Sequence, residues 1–185
     1  MAIRYIADMH FGYESIIAFD NRPFDTAEDM TEAMIRNWNG TVAPDDLTYI
    51  LGDFASAPPD ECCSILERLS GKKVLITGNH DAPDAVDAMR GLLEDVTGYC
   101  EITDGSERVV LCHYPILMFN SHQMSWCHLY GHVHSSYEWN LAEHTKHMIK
   151  KLYAREDVCR MANAGAMMTY MNYTPRTLEE LKAYL

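Results

Sequence analysis

The chain has 185 residues, of which 48% are hydrophobic and 23% are charged, and these proportions are ordinary for a globular protein. Its length predicts one domain, residues 1–185, that is large enough to bury a substantial core. The formal net charge of −12 argues against a general binder of nucleic acid or of anionic membranes, because such proteins rely on broad basic surfaces. An anionic substrate held by local positive charge stays compatible with this composition.

Neither the N-terminal stretch nor the cysteines indicate export. The first apolar run is interrupted by Arg4 and ends at Asp8, so it is too short for the core of a signal peptide. No apolar run approaches the ~20 residues of a membrane span. The six cysteines include no Cys-x-x-Cys pair and are interpreted as reduced thiols. We therefore expect a soluble, cytoplasmic protein.

Apolar spacing, capping residues and flanking Gly or Pro predict strands that alternate with helices. In chain order we expect a strand at 3–7, a helix at 26–38, a strand at 47–51, a helix at 59–69, a strand at 73–77, a helix at 82–93, strands at 108–112 and 127–130, and a helix at 177–185. The run 163–175 is expected to form a last strand and a loop. Such alternation is typical of an α/β fold.

Each predicted strand is followed by side chains that can bind a metal or transfer a proton. In chain order these are Asp8 and His10, Asp53, Asn79 with His80 and Asp81, His113, and the pair His132 and His134. Ligands in such folds gather outside the carboxyl ends of the strands. Residues i and i+2 of an extended chain share a face, so each i, i+2 pair can point into one cavity.

The residue types favour a catalytic metal site over a structural one. Carboxylates mixed with imidazoles suit Mn²⁺, Fe or Zn²⁺, and the absence of thiolates argues against a closed structural zinc site. Seven candidate ligands exceed what one ion needs. Two ions that share a carboxylate would use them all: Asp8, His10, Asp53, Asn79, His113, His132 and His134.

With these residues in this order, the sequence resembles the calcineurin-like metallophosphoesterase superfamily. The five blocks of that family, Asp-x-His, Gly-Asp, Gly-Asn-His-(Asp/Glu), His and Gly-His-x-His, occur in order between Asp8 and His134. The resemblance implies a four-layer αββα sandwich, in which two mixed β-sheets pack face to face with helices outside. The "GNHD" and "GHVH" blocks look most like the compact bacterial and phage branch.

The resemblance also implies roles for the individual residues. Asp8, His10 and His134 would bind the first metal, whereas Asn79, His113 and His132 would bind the second. Asp53 would bridge both ions, and His80 would act as the acid. Manganese is the favoured ion, with iron, zinc, nickel or cobalt as alternatives.

Two such ions would act as Lewis acids and supply a bridging hydroxide that attacks phosphorus in line with the leaving oxygen. His80 would protonate that oxygen. Phosphoprotein phosphatases of the superfamily usually continue the second block to Gly-Asp-x-x-Asp-Arg, and here Ser56 and Ala57 replace the last two residues. Thr77 likewise stands where those enzymes tend to have arginine. We therefore favour a phosphodiester or a small nucleotide-like substrate over a phosphomonoester.

Several alternatives stay open at this level. A catalytically silent binding or scaffold module would keep the fold, although such modules typically lose a ligand and none is lost here. A nuclease is disfavoured because no cluster of Lys and Arg is visible, and the oligomeric state is not predicted. Arg22 is considered as a substrate contact, and the alternative is an arginine that fixes a loop or pairs with nearby acids.

Overall fold

The computed structural model describes residues 1–185, which form nine strands and six α-helices. The strands are β1 (Ile3–Ile6), β2 (Leu47–Ile50), β3 (Lys72–Ile76), β4 (Asp95–Thr97), β5 (Tyr99–Asp104), β6 (Glu107–Cys112), β7 (Cys127–Tyr130), β8 (Arg160–Asn163) and β9 (Arg176–Thr177). The helices are α1 (Glu14–Asp20), α2 (Ala27–Asn39), α3 (Pro59–Arg68), α4 (Pro83–Met89), α5 (Tyr137–Tyr153) and α6 (Leu178–Leu181). Single 3₁₀ turns follow α4 and α6.

The strands form two mixed sheets. The first has the order β4-β3-β2-β1-β9, in which the first four strands are parallel and β9 is antiparallel to β1. The second has the order β5-β6-β7-β8, in which β5 is antiparallel to β6 and the other three are parallel. Because parallel strands end on the same side, the segments after β1, β2 and β3 meet at one edge of their sheet, and those after β6 and β7 meet at one edge of theirs.

The two sheets share one hydrophobic core. Side chains of both sheets and of α2, α3 and α4 belong to a single buried cluster. In β6 the alternation of side chains divides the faces: Val109 and Leu111 join that shared core, whereas Val110 joins a smaller cluster with Ile149 of α5. Helix α5 therefore covers the outer face of the second sheet. This is an α/β fold of two mixed sheets flanked by helices, as predicted.

All five predicted strands and all four predicted helices are confirmed, with ends that shift by one or two residues and with 3₁₀ geometry in the last turns of two helices. Capping explains two of the helix starts. Thr26 accepts a hydrogen bond from the backbone N–H of Asp29, and Thr177 forms a capping box with Glu180. The prediction missed α1, β4 and β5, and it placed the last strand too late: β8 ends at Asn163, and turns fill most of the expected run up to β9. None of the helices combines the length and the apolar character needed to cross a bilayer.

Candidate metal centre

The carboxyl ends of five strands deliver polar side chains to a common edge of the sandwich. The structure brings all seven predicted ligands together there: Asp8, His10, Asp53, Asn79, His113, His132 and His134. They form two adjoining groups, one around His10 and His134 and the other around His113 and His132.

The first group consists of Asp8, His10, Asp53 and His134. All four side chains are buried, and their potential ligand atoms lie within 4.8 Å of one another. Nε2 of His10 lies 3.3 Å from Nε2 of His134 and 3.6 Å from Oδ2 of Asp53. Nε2 of His134 also lies 4.0 Å from Oδ1 of Asp8. Two carboxylates and two imidazoles at this spacing can hold a divalent cation.

The second group consists of Asn79, His113 and His132. Oδ1 of Asn79 lies 3.0 Å from Nε2 of His113 and 2.8 Å from Nδ1 of His132. Nε2 of His113 lies 3.5 Å from Oδ2 of Asp53. Because the same Asp53 oxygen is 3.6 Å from Nε2 of His10, it lies between the two groups.

The backbone at the site is strained. Five of the seven residues have φ in the left-handed region, between 49° and 71°, which side chains other than glycine rarely adopt: Asp8, His10, Asp53, His132 and His134. Hydrogen bonds between the loops stabilise this conformation. The Asp8 N–H donates to the Gly52 carbonyl at 3.0 Å, and the His10 N–H donates to the Asp53 carbonyl at 3.0 Å. Strain of this kind concentrates at functional sites.

Hydrogen bonds around the site determine which imidazole nitrogens carry a proton. Nδ1 of His113 lies 2.8 Å from the Leu51 carbonyl oxygen, which only accepts, so Nδ1 donates and the Nε2 lone pair of the neutral ring points inward. Nδ1 of His134 likewise donates to the Asp20 carboxylate at 2.8 Å. Inside the site these lone pairs meet carboxylate oxygens and another imidazole nitrogen. Hydrogen-bond acceptors that face one another in a buried space repel, and a cation bound between them would relieve this repulsion.

The titration behaviour follows from burial. Burial raises the pKa of Asp8 to about 6, and the opposing effects of His134 and His113 are smaller. Burial, followed by the neighbouring His134, lowers the pKa of His10 to about 2, so its ring is neutral and its lone pair is available. Burial also lowers the pKa of His134, but Asp20 and Asp8 outweigh it and the net shift is upward. A bound cation would compensate the buried carboxylates.

His80 lies at the rim of the site rather than inside it. Its side chain is exposed and lines the cavity, and its ring centroid is 5.2 Å from that of His10. The His80 backbone N–H donates to Oδ1 of Asp53 at 2.8 Å. The neighbouring Asp81 carboxylate accepts from the backbone N–H groups of Gly78, Asp53 and Phe54, and it thereby ties the loop after β3 to the loop after β2.

The position of the Arg22 side chain does not support the substrate contact considered for it. Arg22 is only 4% exposed and does not line the cavity. Its guanidinium donates to the Met9 carbonyl at 2.8 Å, to the Asp8 carbonyl at 2.9 Å and to the Asp20 carboxylate at 2.8 and 2.9 Å. All of its donor nitrogens are engaged, so Arg22 fixes a loop and pairs with an acid, which was the alternative interpretation.

The open side of the site is a cavity of about 290 Å³. Besides the candidate ligands and His80, its lining includes Tyr13, Ile16 and Phe19, all in or next to α1. Phe19 is 73% exposed, and its ring meets that of His134 edge to face at a centroid distance of 5.7 Å. Sequence reasoning missed these aromatic residues and also Asp20, because the helix that carries them was not predicted.

Gly131 sits so close to Asp8 that a larger residue would displace the carboxylate. A Cβ atom at this position would lie 2.7 and 2.9 Å from the two Asp8 oxygens. We expect Gly131→Ala to weaken Mn²⁺ binding about 5–150-fold, since overpacking costs about 1–3 kcal/mol. Calorimetric titration of the metal-free protein measures this. Gly91→Ala is the control, because nothing lies within 4 Å of its Cβ; equal affinities in both variants would contradict the close packing.

No protein-family model matches the chain. Among curated proteins, an uncharacterized protein of Methanocaldococcus jannaschii, MJ1445, is 41% identical over 81 residues, which is 43% of this chain and 46% of that protein. The matched segments cover less than half the length of the curated relatives. Similarity to these relatives therefore does not establish an activity for the whole chain.

Among solved structures, a protein of unknown function from Aquifex aeolicus, AQ665, aligns with a TM-score of 0.73 at 23% identity over 100% of this chain and 99% of its own. Yfce, a phosphoesterase from E. coli, is a much more distant likeness, with a TM-score of 0.43 at 17% identity over 72% of this chain and 70% of its own. The likeness to AQ665 shows a common fold and no activity.

Proposed function

We propose that this chain is a metal-dependent phosphoesterase that uses two divalent cations. The observation that carries the proposal is the pair of adjoining ligand groups with Oδ2 of Asp53 between them, 3.6 Å from Nε2 of His10 and 3.5 Å from Nε2 of His113. A single carboxylate oxygen between two imidazole groups is what a shared ligand requires. The fold class and the order of the five sequence blocks support the same reaction.

In this proposal Asp8, His10 and His134 hold one cation, whereas Asn79, His113 and His132 hold the other. Asp53 contacts both. When bound, the two ions would supply Lewis-acid stabilisation of phosphoryl oxygens and an activated water. Manganese is favoured, because mixed oxygen and imidazole ligands suit it, and iron, zinc, nickel and cobalt are alternatives.

His80 is proposed to protonate the leaving oxygen. Its exposed ring lines the cavity beside the first ligand group, so it can reach a substrate that the ligand groups hold. The backbone N–H of His80 is fixed by Asp53, which keeps the residue next to the proposed bridge. General acid catalysis by a positioned side chain contributes about 10²–10⁴-fold.

The cavity favours a small phosphodiester or nucleotide-like substrate. No Lys or Arg lines it, so no guanidinium is available to clamp the dianion of a phosphomonoester. With two carboxylates among seven ligands, two divalent ions would give the site a charge near +2, which can attract an anionic ester despite the acidic chain. Tyr13 and Phe19 offer aromatic surfaces beside the proposed ions, on which a planar group can stack.

Phe19 is expected to contribute to the binding of planar substrates. With Phe19→Ala we expect KM for an aryl phosphodiester to rise about 2–10-fold, since an aromatic contact contributes about 0.5–1.5 kcal/mol beyond its buried area. KM for a dialkyl phosphodiester should change little, and kcat should be preserved for both. Steady-state kinetics with the two substrates measures the difference. Equal changes for aryl and alkyl esters would contradict stacking on Phe19.

A substrate panel tests the proposed function. Protein loaded separately with Mn²⁺, Fe²⁺, Zn²⁺, Ni²⁺ or Co²⁺ would be assayed with bis(p-nitrophenyl) phosphate, p-nitrophenyl phosphate, and single-stranded and duplex DNA. We expect turnover of the diester to exceed that of the monoester, and little cleavage of either DNA. No turnover with any metal would favour a silent scaffold module, and efficient DNA cleavage would favour a nuclease.

A further inference from the structure

Asp20 is a buried carboxylate that contacts the metal centre without belonging to it. Its side chain is 2% exposed. Oδ1 and Oδ2 of Asp20 lie 2.8 and 2.9 Å from Nδ1 of His134, a residue 114 positions away in the chain. The other ring nitrogen of His134, Nε2, faces the first ligand group. Asp20 thus contacts the imidazole on the side opposite the proposed metal.

Arg22 holds the Asp20 carboxylate from the other side. Nε and Nη2 of Arg22 donate to Oδ2 of Asp20 at 2.9 and 2.8 Å. The same guanidinium donates to the backbone carbonyls of Asp8 and Met9. Those carbonyls belong to the segment between the ligands Asp8 and His10. The pair of Asp20 and Arg22 therefore connects both halves of the first ligand group, one after β1 and the other after β7.

We propose that Asp20 is a positioning residue that keeps the proton of His134 on Nδ1, so that the Nε2 lone pair is presented to a divalent cation, and that Arg22 fixes Asp20 for this task. This inference rests on the proposed metal site and extends it to two residues outside the ligand set. A carboxylate can only accept, so it selects the Nδ1–H tautomer. Groups that orient metal-binding histidines in this way commonly affect affinity about 10–100-fold.

The other imidazoles nearby show why Asp20 matters. The tautomer of His113 is set by a main-chain carbonyl, that of Leu51, which a side-chain substitution cannot remove. Nδ1 of His10 is buried without a hydrogen-bond partner, so no carboxylate or carbonyl holds a proton on that nitrogen. In the first ligand group His134 is therefore the imidazole whose tautomer depends on a single replaceable side chain.

Asparagine at position 20 has the same shape as aspartate but no longer selects the Nδ1–H tautomer of His134. Arg22 has no acceptor, and it directs two donors at the Oδ2 position, so the amide oxygen must lie there. The amide NH₂ then takes the Oδ1 position, 2.8 Å from Nδ1 of His134. An amide N–H at this position favours the Nε2–H tautomer, in which the proton blocks the metal, although the amide oxygen, 2.9 Å from Nδ1, can still accept from Nδ1–H. Alanine at position 20 leaves both tautomers available.

The two substitutions separate a tautomer effect from a packing effect. If Asp20 positions the His134 proton, Asp20→Asn raises the Kd for Mn²⁺ about 10–100-fold, at least as much as Asp20→Ala does. If Asp20 only fills space and holds the loops, the isosteric asparagine is the milder change and the order reverses. Calorimetric titration of Mn²⁺ into metal-free protein gives both values. A clearly smaller effect of Asp20→Asn than of Asp20→Ala would overturn the proposal.

Asp46→Asn is the matched control. Asp46 is also a buried aspartate paired with an arginine, Arg4, at 3.1 Å, and it also accepts from backbone N–H groups. It directly precedes β2, at the end of the sheet opposite the candidate metal centre. Its replacement can lower thermal stability, and the Kd for Mn²⁺ should stay within about twofold of the wild-type value. A similar loss of affinity in Asp46→Asn would mean that any weakened Asp–Arg pair impairs metal binding.

Nuclear magnetic resonance tests the proposal without metal, activity or a stable variant. Long-range ¹H–¹⁵N correlation of the metal-free wild type at pH 8 identifies which nitrogen of His134 is protonated. We expect Nδ1–H in the wild type and a larger share of Nε2–H in Asp20→Asn; Nε2–H in the wild type overturns the proposal even if no variant folds. If the tautomers and affinities behave as expected but no phosphoester is hydrolysed, the proposed activity fails and the role of Asp20 stands.

Discussion

Asp53→Asn is expected to remove metal binding and activity together while leaving the fold intact. The variant keeps an oxygen that can accept from the His80 N–H, but an NH₂ replaces the Oδ2 atom that lies between His10 and His113. This NH₂ can donate to the imidazole nitrogens that a cation would otherwise occupy. Because metal ions contribute several kcal/mol to such reactions, we expect kcat/KM to fall about 10³-fold or more.

Thermal unfolding with and without metal measures the effect of this substitution on binding. At a Mn²⁺ concentration of 100 times Kd, linkage stabilises the wild type by about 2.7 kcal/mol, which raises Tm by about 5–10 °C. Without metal, the Asp53→Asn protein should have a Tm equal to or above that of the metal-free wild type, because its amide satisfies buried acceptors. Its Tm should not change when Mn²⁺ is added. An equal response of both proteins to Mn²⁺ would refute a shared ligand at Asp53.

His80→Ala is expected to lower activity about 10²–10⁴-fold while metal binding is retained. The exposed ring of His80 lines the cavity, whereas the proposed ligand atoms belong to other residues. The loss should be smaller for esters with a p-nitrophenolate leaving group than for alkyl esters, because a good leaving group needs little protonation. Kinetics with both ester types, together with the metal content of the purified variant, tests this role.

A histidine away from the site provides the control for His80→Ala. His144 lies exposed on α5, and its replacement by alanine should leave kcat, KM and metal content at wild-type values. Loss of metal from the His80→Ala protein would show that this side chain is a ligand instead of an acid. Equal losses of rate for both ester types would argue that it binds substrate without protonating the leaving group.

The predicted convergence of the seven ligands depends on strand direction. Asp8, Asp53 and Asn79 follow three neighbouring parallel strands, so local sequence and one topological rule are enough to place them together. The histidines of the second sheet are harder to place, because the packing of two sheets follows from no local pattern. Their position was implied by the resemblance, and the structure shows Nε2 of His134 3.3 Å from Nε2 of His10.

The elements that were missed have weak local signals. Helix α1 is seven residues long and has no side-chain cap, so neither periodicity nor a capping motif marks it. Strand β5 lies at the edge of its sheet and alternates exposed with half-buried side chains, and its sequence YCEITD lacks a continuous apolar run. Because α1 was not predicted, Asp20 and Phe19 were not recognised as residues that contact His134.

Arg22 illustrates a different limit of sequence reasoning. Its sequence neighbourhood, "FDNRPF", shows an arginine beside an acid, which is compatible with substrate binding or with a structural pair. The two possibilities differ only in burial and in the partners of the guanidinium. Besides Asp20, these partners are the main-chain carbonyls of Asp8 and Met9, which no side-chain pattern encodes. The structure decides between them because every donor of the buried guanidinium is already used.

Metal stoichiometry tests the central claim most directly. Metal-free protein titrated with Mn²⁺ in a calorimeter, with the bound metal quantified independently by mass spectrometry, should take up two ions per chain. His113→Ala and His10→Ala should each weaken a different one of the two binding events. Uptake of no ion or of only one ion, or two binding events that both survive these substitutions, would contradict a centre in which seven side chains hold a pair of cations.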